Sequence, residues 1–270
     1  MSQRSSGGNQ LVVSYLFLRQ AVGWIAILLP FVLLAGNLIS ATTSPPESMS
    51  GYYYTDMRNI FVGALCALGV FLVAYAGYDD VDRWITNIAG LAAIGVAFCP
   101  TKPAVCAAAP TVCPASQVRH LSGSQQLVGD IHLVFAVIAF VMLGLMALRF
   151  AKTGPTPSGQ DFWAQIRYGL GFGPPAAGQP RVSAADTLIY RISGFTIFTS
   201  VLLAALANLL PASVNADWRL LFIFEAVAVV AFGVSWFVKG QTIQGIQARM
   251  RKGPAAAKPA TAARALEDHL

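Results

Sequence analysis

The sequence predicts an all-α protein, an integral membrane bundle of six transmembrane helices with both termini cytoplasmic. Three observations carry that expectation. Six long apolar stretches divide the 270-residue chain. Charged residues make up only 11% of it, against about 25% in an ordinary soluble domain. The basic residues crowd into alternate loops, which is how a multi-span protein orients itself.

A helix needs about 20 apolar residues to cross the hydrocarbon core. The first stretch, residues 21–41, holds Pro30 as its one kink candidate and gives way to Pro45 and Pro46. The second, 59–75, stops before Asp79 and Asp80. The third, 84–99, is short and stops at Pro100. The fourth, 131–150, meets Lys152, Gly154 and Pro155. The fifth, 188–210, meets Pro211, and the sixth, 220–238, meets Lys239 and Gly240. Trp24, Trp84, Trp218 and Trp236 fall near span ends, where an aromatic belt is expected. Ala89, Gly90, Ala92, Ala93 and Gly95 in the third stretch, with Gly63, Ala67 and Gly69 in the second, predict a closely packed helix pair.

With the N-terminus inside, Arg19, Arg83, Arg149, Lys152, Arg191, Lys239 and most other basic residues fall on the inner side. Only Arg58, Lys102, Arg119 and Arg219 fall outside. This asymmetry makes both termini cytoplasmic and places the protein in a bacterial inner membrane. Residues 1–20 form a cytoplasmic or interfacial lead-in rather than a cleaved signal, because the apolar run after Arg19 is too long for one. Residues 21–239 form the six-span domain, and 240–270 a basic, partly disordered cytoplasmic tail. Within the inner loop, DFWAQIRY at 161–168 predicts a short helix on the membrane surface.

Ionisable groups within spans are costly and so mark candidate function. Glu225 lies well inside the sixth stretch. His132 starts the fourth stretch from the outer side, next to Asp130. Arg58 starts the second, just after Tyr54 and Asp56. A convergence of Arg58, His132 and Glu225 would neutralise the buried carboxylate and form an outward-facing site for a lipid or small ligand, with Tyr54 and Asp56 at its rim. The plain alternative is a Glu–Arg pair that only locks helices together. If the two pair, Glu225→Gln is milder than Arg58→Ala, which leaves a carboxylate unpaired. The tyrosine run at 52–54 reads as interfacial anchoring, and Arg191 as a side chain reaching the inner headgroups.

Cys99, Cys106 and Cys113 are equally spaced in CPTKPAVCAAAPTVCP. On the outer side a Cys106–Cys113 disulfide is the favoured expectation, with free thiols as the alternative; the spacing matches no common zinc pattern, so no metal is expected. No cofactor motif is found: there is no Gly-x-Ser-x-Gly, no His-Glu-x-x-His and no phosphate loop. The net charge of +6 belongs to one membrane face rather than to a nucleic-acid module.

The run SGYYYTDMRNIFVGALCALGVFLVAYAGYDD, with NIAGLAAIGVAFCPT and AFGVSWFVKG, resembles an uncharacterised family of bacterial multi-span integral membrane proteins. The resemblance implies the fold and carries no catalytic assignment. The outer Ser, Asp and His-x-x-x-His pattern of ceramidase and adiponectin-receptor-like hydrolases is not met. Three functions remain open on sequence grounds. One is a structural or ligand-binding bundle with membrane lipids as partners. A second is an intramembrane lipid hydrolase using Glu225 or His132 as base and Arg58 as anion clamp. The third is an accessory subunit bound to a membrane protein partner.

Overall fold

A computed structural model of the chain describes residues 3–40, 44–75, 77–105, 118, 120–152, 154, 161–173, 182–207, 209, 214 and 218–251, with side chains between 19 and 241. The regular elements among the described residues are helices: α1 is Gln3–Ser40, α2 Arg58–Val73, α3 Asp80–Phe98, α4 Gly123–Arg149, α5 Phe162–Gly169, α6 Ala184–Ala207 and α7 Leu220–Arg251. A 3-10 turn, Ser50–Tyr54, precedes α2. No strand occurs among these residues beyond one isolated bridge between Val105 and Val118. That bridge joins the two ends of the loop carrying Cys106 and Cys113, which themselves lie outside the described residues, as does the tail from 252.

Among the described residues, five helices contain segments long and apolar enough to cross a membrane: Arg19–Ser40, Asp80–Phe98, Gly123–Arg149, Ala184–Ala207 and Leu220–Gln241. The chain is therefore a multi-pass membrane protein. The second apolar stretch becomes α2, whose 16 residues span about 24 Å at 1.5 Å per residue. This is short of the hydrocarbon core.

The six long helices close a ring. α1 packs on α2 and α7, α2 on α3, α3 on α4, α4 on α6, and α6 on α7, with α4 also touching α7 across the middle. Glycine lets two of these pairs approach at the backbone. A Cβ on Gly69 would lie 2.7 Å from the carbonyl oxygen of Gly90, which accounts for the α2–α3 pair that the small-residue spacing predicts. A Cβ on Gly233 would lie 2.8 Å from the carbonyl oxygen of Gly23, and this α1–α7 contact has no comparable stripe in the sequence.

Helices begin earlier than the apolar stretches because polar caps start them. Ser122 and Gln125 form a capping box at α4, so that helix gains two turns before Ile131. Asp79 caps α3 by accepting from the Asp82 amide at 3.0 Å, which makes the acidic segment the helix's first turn rather than a solvated link. Asp161 caps α5 through the Ala164 amide at 2.7 Å. α5 exposes the aromatic pair Phe162 and Trp163.

The core gathers small and aromatic side chains from all six long helices. Trp236 lies at its centre, 2% exposed. Its ring meets Tyr75, Phe150 and Phe232 at centroid distances of 5.0, 5.2 and 5.4 Å. It is therefore a packing residue and not part of an aromatic belt. Trp24, Trp84 and Trp218 are exposed, as belt residues must be. Tyr52 likewise is wholly buried rather than interfacial.

Candidate functional site

Polar side chains concentrate at the two ends of the ring. One end carries the tyrosine turn, the starts of α2 and α7, and the residues proposed from sequence as a site. Each of those residues has a specific partner. Arg58 is exposed and turns back on its own segment, donating to the Tyr53 hydroxyl at 2.5 Å with its guanidinium 4.2 Å from that ring's centroid. Tyr54 donates to the Thr101 carbonyl at 2.6 Å, and burial pushes its phenol above the usual value. Asp56 is exposed beside them. His132 is buried, and its Nδ1–H donates to the Cys99 carbonyl at 2.6 Å, tying α4 to the end of α3. Its neighbour Asp130 pairs with Lys102 at 2.6 Å on the surface.

Glu225 is the exception, because its partners are main-chain amides. Its Oε2 accepts from the Met49 amide at 2.6 Å, and the Ser50 amide also donates to the carboxylate. The Phe222 amide donates to the Glu47 carbonyl at 2.8 Å. Segment 44–57 is thereby laid over the end of the ring as a cap hung on α7. Protein atoms surround Glu225, yet it keeps partial accessibility because two cavities open onto it. One, of about 70 Å³, is lined by Phe61, Leu68, Ala93, Val96 and Ala136 among others. The second, of about 100 Å³, lies between α4, α6 and α7. Ala136 lines both. The expected Arg58–His132–Glu225 triad is thus not assembled: the arginine and the histidine are engaged elsewhere, and backbone donors hold the carboxylate. For the hydrolase reading, with Glu225 or His132 as base and Arg58 as anion clamp, the partners of the three are Tyr53 for Arg58, the Cys99 carbonyl for His132 and the Met49 amide for Glu225.

The other end holds a charged cluster that sequence reasoning missed. Arg149, the last residue of α4, donates through Nε to Asp82 at 2.5 Å, through Nη2 to Asp79 at 2.9 Å, and through Nη1 to the Gly169 carbonyl of α5 at 2.9 Å. Lys152 meets Asp79 at 2.6 Å and Asp82 at 3.3 Å. Lys239 of α7 donates to the carbonyls of Phe150 and Lys152 at 2.7 and 3.0 Å, so its ammonium sits on the negative end of α4. Arg19 of α1 lies over the Tyr75 ring at 4.5 Å. All of these cations and Asp82 are buried. Burial raises the Asp79 carboxyl, but the Lys152 ammonium, the Asp82 amide and the Arg149 guanidinium outweigh it and hold it at about 2. The acidic start of α3, facing two basic residues at the end of α4, was the available signal. Arg149, Lys152 and Lys239 read from sequence only as charges that orient the chain.

Chemically the two ends differ. The charged end has its carboxylates saturated by cations and acts as a four-helix clasp. The capped end places one carboxylate, without a cation partner, against apolar cavities. Among the described residues, no group of three or more His, Cys, Asp or Glu is placed to hold a metal ion. No family model matches the chain, and neither a curated protein nor a solved structure is similar to it.

Proposed function

We propose that the chain is a six-span protein of a bacterial inner membrane, both termini cytoplasmic, that holds a small ligand or lipid chain beneath an outward-facing cap. The place of α2 in the ring, between α1 and α3 like any other spanning helix, supports its being a short sixth span. An even number of spans and the crowding of basic residues at one end support the orientation. A short span is accommodated by thinning the bilayer around it.

The observation that carries the ligand reading is Glu225. A carboxylate that only locked helices would be met by a cation, as Asp82 is. Glu225 instead meets two amides of the cap and faces apolar space on two sides. Such a pocket suits a molecule with an apolar body and one hydrogen-bond donor. Entry requires Met49 and Ser50 to release the carboxylate, and the ligand's donor then replaces theirs.

Native mass spectrometry of the full chain, gently solubilised from its own membrane, tests this. A discrete small molecule is retained by the wild type and lost in Ala136→Phe, which fills both cavities. A stoichiometric protein partner with no retained small molecule overturns the reading and makes the chain an accessory subunit. The orientation has its own test: maleimide added from outside labels Cys106 and Cys113, and does so only after reduction.

A further inference from the structure

Between α6 and α7 a groove of about 650 Å³ opens on the outer surface of the ring, with Ser200 and Phe224 between it and the second Glu225 cavity. Its walls include Phe195, Leu203, Ile223 and Val227, all large apolar side chains left exposed by the protein. Both walls belong to membrane-spanning segments, so the medium that covers them is lipid. The groove is not uniformly apolar. Arg191 lines it at the charged end, and Thr199 lies further along.

Arg191 is held in place by the short connection after α5. It donates through Nη2 to the Gly171 carbonyl at 3.2 Å, and its guanidinium lies 4.8 Å from the Phe172 ring centroid. Gly171 has φ 76°, and a Cβ there would run into the Leu148 carbonyl oxygen, so only glycine presents its carbonyl this way. The Nε of Arg191 is buried without a hydrogen-bond partner. A guanidinium has five N–H donors in a planar fork suited to phosphate. The neighbouring α5 exposes Phe162 and Trp163, which sets this end at headgroup depth. From Arg191 to Leu203, twelve residues of helix give about 18 Å. One leaflet's hydrocarbon is about 15 Å deep. The groove therefore has a guanidinium at one end and an apolar trough about as long as one acyl chain.

We infer that the α6–α7 groove is a site for one anionic glycerophospholipid, its phosphate on Arg191 and one acyl chain lying along Phe195, Thr199 and Leu203. The site does not rest on the Glu225 reading: Ser200 and Phe224 line both the groove and the second Glu225 cavity, but the headgroup anchor Arg191 lines the groove and neither Glu225 cavity.

The test is native mass spectrometry of the full chain in detergent, titrated in parallel with phosphatidylglycerol and phosphatidylcholine. One phosphatidylglycerol is retained in preference to phosphatidylcholine. Arg191→Gln weakens that retention about tenfold, the worth of one charge-assisted hydrogen bond. Thr199→Trp, an exposed position within the trough, blocks retention with Arg191 intact. Arg83→Gln removes an exposed charge at the same end, outside the groove, and leaves retention unchanged. Equal retention of the two lipids overturns the site. So does equal weakening by Arg83→Gln and Arg191→Gln, which reports diffuse charge alone. Should Arg191→Gln not fold, Thr199→Trp decides: undiminished phosphatidylglycerol retention in it rejects the groove.

Discussion

Arg149 and Asp82 are 67 residues apart in the chain and meet at 2.5 Å inside the bundle, each less than a tenth exposed. The contact joins the last residue of α4 to the first turn of α3. Because the same guanidinium also holds Asp79 and the end of α5, its loss strands several polar groups at once. Removing one partner of a buried pair costs about 3–5 kcal/mol, mostly through the charge left behind. Asp82→Asn should therefore lower stability by about 3 kcal/mol in unfolding experiments on detergent-solubilised protein. Asp80, two residues away, makes only an exposed contact with Arg83, and Asp80→Asn should leave the midpoint unchanged. Similar losses in both variants would contradict the clasp.

Acid should open the same cluster. The Asp79 carboxyl stands at about 2 in the folded protein against an ordinary 3.8. A depressed folded value means that the unfolded chain takes up the proton first, so the contribution is complete above about pH 4 and fades as pH falls toward 2. The difference corresponds to about 2 kcal/mol. Midpoints of thermal unfolding measured between pH 6 and pH 2 should decline in that window, and the decline should be shallower in Asp79→Asn. A variant with an acid limb as steep as the wild type's would show that Asp79 is not the group responsible.

The fold was far more legible than the sites. Hydropathy alone located the five helices long enough to cross a membrane and the shorter α2, because an apolar run is a local feature of the sequence. The Gly and Ala spacing in α2 and α3 announced their close pairing for the same local reason, and the stretch DFWAQIRY announced α5. The charged clasp was illegible because counting Lys and Arg by membrane side treats Arg149 and Lys152 as free charges. Their partners, Asp79 and Asp82, lie across a long separation in sequence that no local pattern bridges. Glu225 stood out in the sequence as a carboxylate within an apolar stretch, but its donors are backbone amides of residues 49 and 50, which every residue except proline possesses. Trp236 was misplaced because a tryptophan near a span end looks the same whether it faces the interface or the ring's interior.

The glycine contact between α2 and α3 predicts a position-specific response. A Cβ on Gly90 would meet the Gly69 carbonyl oxygen and the Val73 amide, both main-chain atoms that cannot rotate away. Gly90→Ala should force the helices apart and cost about 1–3 kcal/mol, as overpacking does. Gly63 lies on the same helix as Gly69 with nothing near its would-be Cβ. Gly63→Ala should be neutral or gain up to about 1 kcal/mol from helix propensity. Thermal unfolding of the two variants side by side checks the contrast, and a destabilised Gly63→Ala would mean that the α2 surface is packed against something the ring does not contain.

The cap reverses the order of effects expected from a Glu225–Arg58 pair. Arg58 stacks on Tyr53 at an exposed site, so Arg58→Ala should lower stability by less than about 1 kcal/mol. Glu225→Ala strands the amides of Met49 and Ser50, both buried, at a cost of about 1–3 kcal/mol. Glu225→Gln keeps an acceptor oxygen for one of those amides but offers its own N–H₂ where the second donor stands, so it should fall between the two. Loosening of segment 44–57 gives a second readout that Arg58→Ala should not share: faster hydrogen exchange at the Met49 and Ser50 amides in both Glu225 variants. Should Arg58→Ala prove the most damaging of the three, with those amides still protected in Glu225→Ala, the carboxylate would not be what holds the cap in place.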